Sequence, residues 1–180
     1  FADNGTYTVY ARIYDKDGAF TQYTTDVTVT NADPTALLDN NSPIAEGGSV
    51  AVTFTNPTDA SSTDLAAGLR FSFALTSQGL AADYASAAST SSASFNFADN
   101  GSYTVYGRVI DKDGGYTATT TTITVTNVAP TATITQDGPI SEGGSITVTR
   151  SNATDPSSTD LDAGLRFSFA VTSDDLVEPD

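Results

Sequence analysis

The strongest constraint in this sequence is a repeat. FADNGTYTVYARIYDKDG at 1–18 returns as FADNGSYTVYGRVIDKDG at 97–114, EGGSVAVT at 46–53 as EGGSITVT at 142–149, and SSTDLAAGLRFSFA at 61–74 as SSTDLDAGLRFSFA at 157–170. The offset is 96 each time: Tyr103 against Tyr7, Pro130 against Pro34, Arg166 against Arg70. The copies align without a gap, and roughly 60% of aligned positions are identical. A period this long is a whole domain rather than one turn of a solenoid. The chain must fold as units of that size, each able to carry a neighbour of its own kind.

Proline marks the joints. Asn31-Ala32-Asp33-Pro34 and Asn127-Val128-Ala129-Pro130 each follow a stretch rich in Thr and Val and precede another apolar run. Pro ends one element and forces the residue before it to be extended, which reads as a linker. The expected division is therefore 1–31, the C-terminal strands of a preceding copy; 32–127, one complete domain; and 128–180, the N-terminal half of a following copy. Such a cut fits a segment of a longer array.

Within the complete unit, period-two alternation recurs in short runs split by Gly, Pro, Asn and Asp. Strands are expected at 34–38, 49–56, 69–76, 91–97, 101–110 and 116–126, with a polar loop at 57–68 and weak strand signal over 78–90. The chain is poor in helix periodicity and rich in Thr and Ser. About seven short strands in about ninety-five residues is the pattern of an immunoglobulin-like sandwich. The expected fold class is all-β: immunoglobulin-like β-sandwich repeats in tandem. Asp99-Asn100-Gly101-Ser102-Tyr103 and its copy Asp3-Asn4-Gly5-Thr6-Tyr7 have the spacing of a tyrosine corner, in which the Tyr hydroxyl ties back to the main chain.

The run NGSYTVYGRVIDKDGGY resembles the G-x-Y-x-V-x-x-x-V-x-D-x-x-G signature of PKD (polycystic-kidney-disease-type) domains. APTATI and TDPSSTDL followed by LRFSFA resemble the start and middle of the same family. The usual W-x-F-G-D-G after the third strand is replaced here by Leu69-Arg70-Phe71-Ser72-Phe73-Ala74 and a Ser/Ala stretch. Cadherin-like and other bacterial immunoglobulin-like repeats stand beside PKD as labels. The resemblance implies extracellular modules in tandem, in large bacterial or archaeal surface proteins or in secreted enzymes, some binding calcium.

Charge and composition narrow the function. There are 22 Asp and Glu against 7 Lys and Arg, a formal net charge of −15. That opposes nucleic acid and anionic membranes, both of which attract basic patches. No apolar run approaches the ~20 residues of a membrane span. There is no Cys and no His, so the usual general base, thiol nucleophile and zinc ligands are missing. No enzyme activity is expected.

The acidic loops are the candidate chemistry. Asp111-Lys112-Asp113-Gly114, echoed by Asp15-Lys16-Asp17-Gly18, joins two strands that lie late in the sandwich. Asp59 through Asp64, echoed by Asp155 and Asp160, joins two earlier ones. In an immunoglobulin-like sandwich both loops lie at the end where the chain enters, through Asn31. Ca²⁺ takes six to eight oxygens from carboxylates, amides and backbone. The candidate ligands are Asn31, Asp59, Asp64, Asp111 and Asp113, with Asp15, Asp17, Asp155 and Asp160 in the partial copies. D-x-D-G is equally good turn chemistry, and carboxylates in loops are commonly just solvated. Glu46 and Glu142 fall in turns near the following joint, where a second site through Asn127 and Asp155 could form.

Two functions follow as expectations. One is a structural repeat, a spacer, stalk or filament segment, whose partners are neighbouring repeats of the same or an identical chain. The other is an adhesion or glycan-binding module, or an accessory domain of a secreted hydrolase, with Tyr10, Tyr14, Phe20 and Tyr23 as its aromatic patch and a cell-surface protein or glycan as partner.

Overall fold

A computed structural model describes residues 1–177; the last three positions of the expected 128–180 segment lie outside them. The protein is all-β, with eleven strands in four sheets and two six-residue helices among the described residues.

The first strands, β1 (Gly5–Tyr14) and β2 (Phe20–Val29), form an antiparallel hairpin in unbroken register from Gly5↔Val29 to Tyr14↔Phe20. The next stretch supplies β3 (Thr35–Asn40), β4 (Ile44–Ala45), β5 (Ser49–Thr58), α1 (Ser62–Ala67), β6 (Arg70–Ala74), β7 (Ser92–Asn96), β8 (Gly101–Ile110) and β9 (Tyr116–Thr126). They make two sheets, ordered β3-β5-β7 and β4-β9-β8-β6. β10 (Thr131–Gln136) and β11 (Val148–Thr154) pair by themselves, and α2 (Ser158–Ala163) follows.

Expected and observed strands agree to within a residue or two for 34–38, 49–56, 69–76, 91–97, 101–110 and 116–126. The expected polar loop at 57–68 contains α1 instead. Ser61 caps it by accepting the Asp64 N–H at 3.1 Å, and Gly68, at φ 87°, ends it. Ser at the cap, an acid three residues on and Gly after the last turn are sufficient local signals for one short helix.

Packing divides the chain into two compact units: Phe1–Asn40, Ala51–Ala93 and Thr104–Thr122 in one; Asn41–Val50, Ser94–Tyr103 and 123–177 in the other. These units do not follow the repeat boundaries. Each gathers the residues around one joint between copies.

In the first unit a core of Phe54, Phe71 and Val109, flanked by Ala36, Leu38, Leu69 and Phe73, joins the faces of the two sheets. Phe54 lies 5.5 Å from Phe71 and 5.3 Å from Phe73, ring centre to ring centre. Gly107 is required there: a Cβ would stand 2.7 Å from Phe54 and 2.9 Å from Leu38. The alternation in β8 explains the rest, since Val105, Gly107 and Val109 point to the core while Thr104, Tyr106 and Arg108 do not.

The second unit holds the turn at Gly47–Gly48 and the corner around Tyr103. Gly47 accepts the close approach of Pro156, whose carbonyl would be 2.8 Å from a Cβ. The Tyr103 ring stacks on Phe97 at 4.3 Å and its hydroxyl donates to the Asp99 carbonyl at 3.0 Å. In the first unit Tyr7 does the same to Asp3, at 2.8 Å. Both tyrosine corners are therefore formed.

The two outer copies lack the strands that would cover them. Val9 is 42% exposed where its counterpart Val105 is 0%, and Ile13 is 67% exposed where Val109 is 0%. The pentapeptide RFSFA shows the same effect on the backbone. At 70–74 it is β6, paired with β8; at 166–170 the identical sequence is no strand at all.

Candidate metal centre

Asp59, Asp64 and Asp111 are brought together by local capping. Asp59 Oδ1 accepts the Ser61 N–H at 2.7 Å. Ser61 then caps α1, which fixes Asp64 in its first turn, wholly buried. Across the unit, the turn between β8 and β9 closes on Asp111. Its Oδ1 accepts the N–H groups of Asp113 (2.8 Å) and Gly115 (2.9 Å), and its Oδ2 accepts Asn31 Nδ2 at 2.8 Å. Gly115 is small for a reason: a Cβ there would lie 2.5 Å from both Asn31 Nδ2 and Asp111 Oδ2.

The result is two overlapping trios. One oxygen each from Asp59, Asp64 and Asp111 lie within 4.8 Å of one another, and so do one each from Asp3, Asp64 and Asp113. They differ in what neutralises them. In the second trio the Lys112 ammonium stands 3.0 Å from Asp3 Oδ2 and 2.9 Å from Asp64 Oδ1, and it also bonds Asp113. Asp113 first, then Asp64, raise its pKa against the opposing effect of burial. Lys112 in turn holds Asp3 below the usual carboxylate range.

Among the described residues, the first trio meets that ammonium only through Asp64 Oδ1. Asp59 Oδ2 and Asp64 Oδ2 are buried and accept no hydrogen bond; Asp64 Oδ1 touches Lys112 as an ion pair without hydrogen-bond alignment. Three carboxylates this close repel by on the order of 3 kcal/mol per pair at an effective dielectric of about 20. Buried charge of one sign calls for a counter-ion. Oxygens up to ~4.8 Å apart are the spacing of ligands around Ca²⁺, whose bonds are about 2.3–2.6 Å. The donor set is hard oxygen throughout, with Asn31 beside it.

This cluster links copies. Asp3 belongs to the preceding copy's tyrosine corner; Asp64, Lys112 and Asp113 belong to the 32–127 copy. Ser61 Oγ donates to the Ala2 carbonyl at 2.9 Å, and Asn4, with its amide turned to satisfy both neighbours, donates to Asp113 at 2.7 Å and Asp3 at 2.9 Å.

The second unit contains a related group. One oxygen each from Glu46, Asp155 and Asp160 lie within 4.8 Å of one another. Glu46 is buried and straps the linker: Oε1 accepts the Val128 N–H at 2.6 Å and Oε2 the Asn100 N–H at 3.0 Å. Asp155 accepts the Ser157 N–H at 2.8 Å, as Asp59 does with Ser61. Burial first, then Glu46, Asp99 and Asp155, raise the Asp160 carboxyl above its ordinary value.

Of the expected ligands, Asn31, Asp59, Asp64 and Asp111 meet at one place. Asp113 joins the Lys112 trio. Asp155 and Asp160 gather with Glu46. Asp15 closes its own exposed turn, accepting from Asp17 (3.0 Å) and Ala19 (2.9 Å), and Asp17 pairs with Lys16; neither reaches another carboxylate group of the two clusters. Sequence reasoning missed Asp3 and Lys112. The corner motif repeats Asp3 as Asp99 and the acidic turn repeats Lys112 as Lys16, but no local pattern says that the two meet.

The aromatic patch divides. The hairpin register puts Tyr10, Tyr14 and Phe20 on one face and Tyr23, opposite Ala11, on the other. Two arginines of the 32–127 copy stack on aromatic rings: Arg108 on Tyr116 at 4.3 Å and Arg70 on Tyr84 at 5.1 Å.

No family model and no curated protein matches this chain.

Proposed function

We propose that this chain is a run of extracellular, immunoglobulin-like β-sandwich repeats, PKD-like in sequence, that serves as a non-catalytic spacer or filament segment of a surface protein. Its joints are stiffened by calcium. One observation carries the reading: Asp64, wholly buried at a joint between copies, keeps an oxygen without a partner beside two further carboxylates.

In this reading Asp59, Asp64 and Asp111 hold the ion. Turning the Asn31 amide by half a rotation would offer its carbonyl oxygen as a fourth ligand. The ion and Lys112 divide the labour. Lys112 spans the two copies by its charge, and calcium neutralises the carboxylates that position it. A linker as short as 32–34, clamped on both sides, restricts bending.

Thermal melting of the 180-residue chain tests the calcium part. A site that binds only the folded state adds about 2.7 kcal/mol at calcium one hundred times its dissociation constant. Chelator should lower the melting temperature by several degrees, calcium should restore it, and Asp64→Asn should abolish the response. A melting temperature indifferent to chelator in the unaltered chain would remove calcium from the proposal. Small-angle scattering tests the spacer part, which a collapsed, flexible profile would end.

A further inference from the structure

Two sets of side chains at the joint near Asn31 are built alike. Asp59, Asp64 and Asp111 stand with the Asn31 amide, which donates to Asp111 at 2.8 Å. Asp3, Asp64 and Asp113 stand with the Asn4 amide, which donates to Asp113 at 2.7 Å and to Asp3 at 2.9 Å. Each set is three carboxylates and one amide, with one oxygen from each carboxylate within 4.8 Å of the others. Asp64, 0% exposed, belongs to both. Its Oδ1 faces Lys112, and its Oδ2 is buried without a hydrogen bond.

Lys112 makes the difference between them. Its ammonium stands 3.1 and 3.0 Å from the two Asp3 oxygens and 2.9 Å from Asp64 Oδ1, and it also bonds Asp113. An ammonium has only N–H groups to give, and here all three carboxylates of the set share them. This is a cation's coordination shell with a nitrogen at its centre. The oxygens lie about half an ångström farther out than they would around Ca²⁺, whose bonds are about 2.3–2.6 Å. The Asp3 and Asp113 side chains are 27% and 26% exposed, so they have room to draw in.

We propose that Lys112 occupies the second of two adjacent cation positions and so limits this joint to one divalent ion. The joint gathers five carboxylates, Asp3, Asp59, Asp64, Asp111 and Asp113, against one ammonium. A divalent ion in the first set leaves the joint negative, so charge alone would admit another. Occupancy excludes it. A tethered ammonium is always at hand, whereas a free ion must be captured from solution. The ammonium also holds the Asp64 Oδ1 that an incoming ion needs. Lys112 thereby links the copies whether or not calcium is bound, since Asp3 lies in one copy and Asp64 and Asp113 in the next. Removing the lysine opens a second site for a hard divalent cation, bound by Asp3, Asp64 and Asp113 with the Asn4 oxygen turned inward.

This inference deepens the calcium reading of the first set and rests on it. Equilibrium dialysis of the full chain against calcium counts the bound ions. Lys112→Met should bind one more ion per chain than the unaltered protein. Lys112→Arg, which keeps the charge, should bind no more. Asp3→Asn combined with Lys112→Met should return the count to that of the unaltered chain, because Asp3 belongs to the second set alone. Melting gives an independent reading: chelator should lower the melting temperature of Lys112→Met by more than it lowers that of the unaltered chain. A Lys112→Met chain that gains no ion overturns the proposal, and so does one that calcium fails to fold. A gain that survives Asp3→Asn, a gain shown equally by Lys112→Arg, or equal responses to chelator would overturn it too. The calcium reading fails separately, when the unaltered chain melts at the same temperature with and without chelator.

Discussion

Residues 70–74 and 166–170 are the same five amino acids, and only the first set is a strand. The preceding helices, α1 and α2, behave differently: both form, with the same Ser cap and the same Gly stop near φ 87°. The contrast separates two kinds of information. A capped turn needs only residues within four positions of one another, so it forms in the partial copy as in the complete one. A strand edge needs a partner, and β6 takes its partner from β8, more than thirty residues on. The same holds for burial: Phe71 is 5% exposed and its counterpart Phe167 is 44%.

The largest effect should come from breaking that pair of phenylalanines. Phe71→Ala removes a ring from a closed core and should cost about 3–5 kcal/mol. Phe167→Ala should cost under about 1 kcal/mol, since its ring is half-exposed and carries the Arg150 guanidinium 3.4 Å from its centre. Denaturant titration of both variants gives the comparison; equal losses would mean that the two copies are equally packed.

Lysine supplies the next contrast. Lys112→Met strips the counter-charge from buried Asp64 and should lower the melting temperature clearly. Lys16→Met, on an exposed turn, should leave it unchanged in dilute solution. A smaller effect, about 1 kcal/mol, is expected from Gly115→Ala, which installs the residue found at position 19 of the first copy. There the added methyl meets Asn31 and Asp111, and the hydrogen bond between them must yield. If Gly115→Ala retains full stability and calcium response, Asn31 is not part of the centre.

The smallest effects concern pH, and the two joints should respond with opposite sign. Asp3 is depressed by Lys112, so its contribution is present above the unfolded value of 3.8 and is lost as pH falls through its lower folded value. Lys112 is raised, so its contribution is full below 10.5 and fades only in stronger alkali. Asp160 is raised by burial and by its acidic neighbours, so it opposes folding at neutral pH. That opposition is relieved as pH falls through its folded value toward 3.8. Chemical shifts of the Asp3 and Asp160 side chains, followed from pH 7 to pH 2, would show titration midpoints on opposite sides of 3.8.

Much of the fold was legible from the residues. Alternation with Gly and Asn punctuation located the main strands because side-chain direction in a strand has period two. The tyrosine corners were legible because their contact spans only four residues. α1 lies in a polar stretch that reads as loop, although Ser61 and Gly68 supply its two caps. β4 is two residues long and pairs with β9 far along the chain, so no local pattern announces it.

The candidate site was half legible. Asn31, Asp59, Asp64 and Asp111 could be foreseen because loop position in a sandwich says which turns share an end. Asp3 and Lys112 could not. Their meeting depends on how one copy abuts the next, and 109 residues separate them in sequence. Lys112 also read as part of a turn, where its charge had no evident destination.

The corner aspartate leaves one mechanical consequence. The Asp3 carbonyl is gripped by Tyr7 of its own copy, and its carboxylate by Lys112 of the next. Tension pulling the copies apart would enter through an ammonium and arrive, one side chain later, at a main-chain atom already anchored to an aromatic ring. Stretching a joint of this build should therefore end in abrupt rupture of the ionic grip before the hairpin begins to peel.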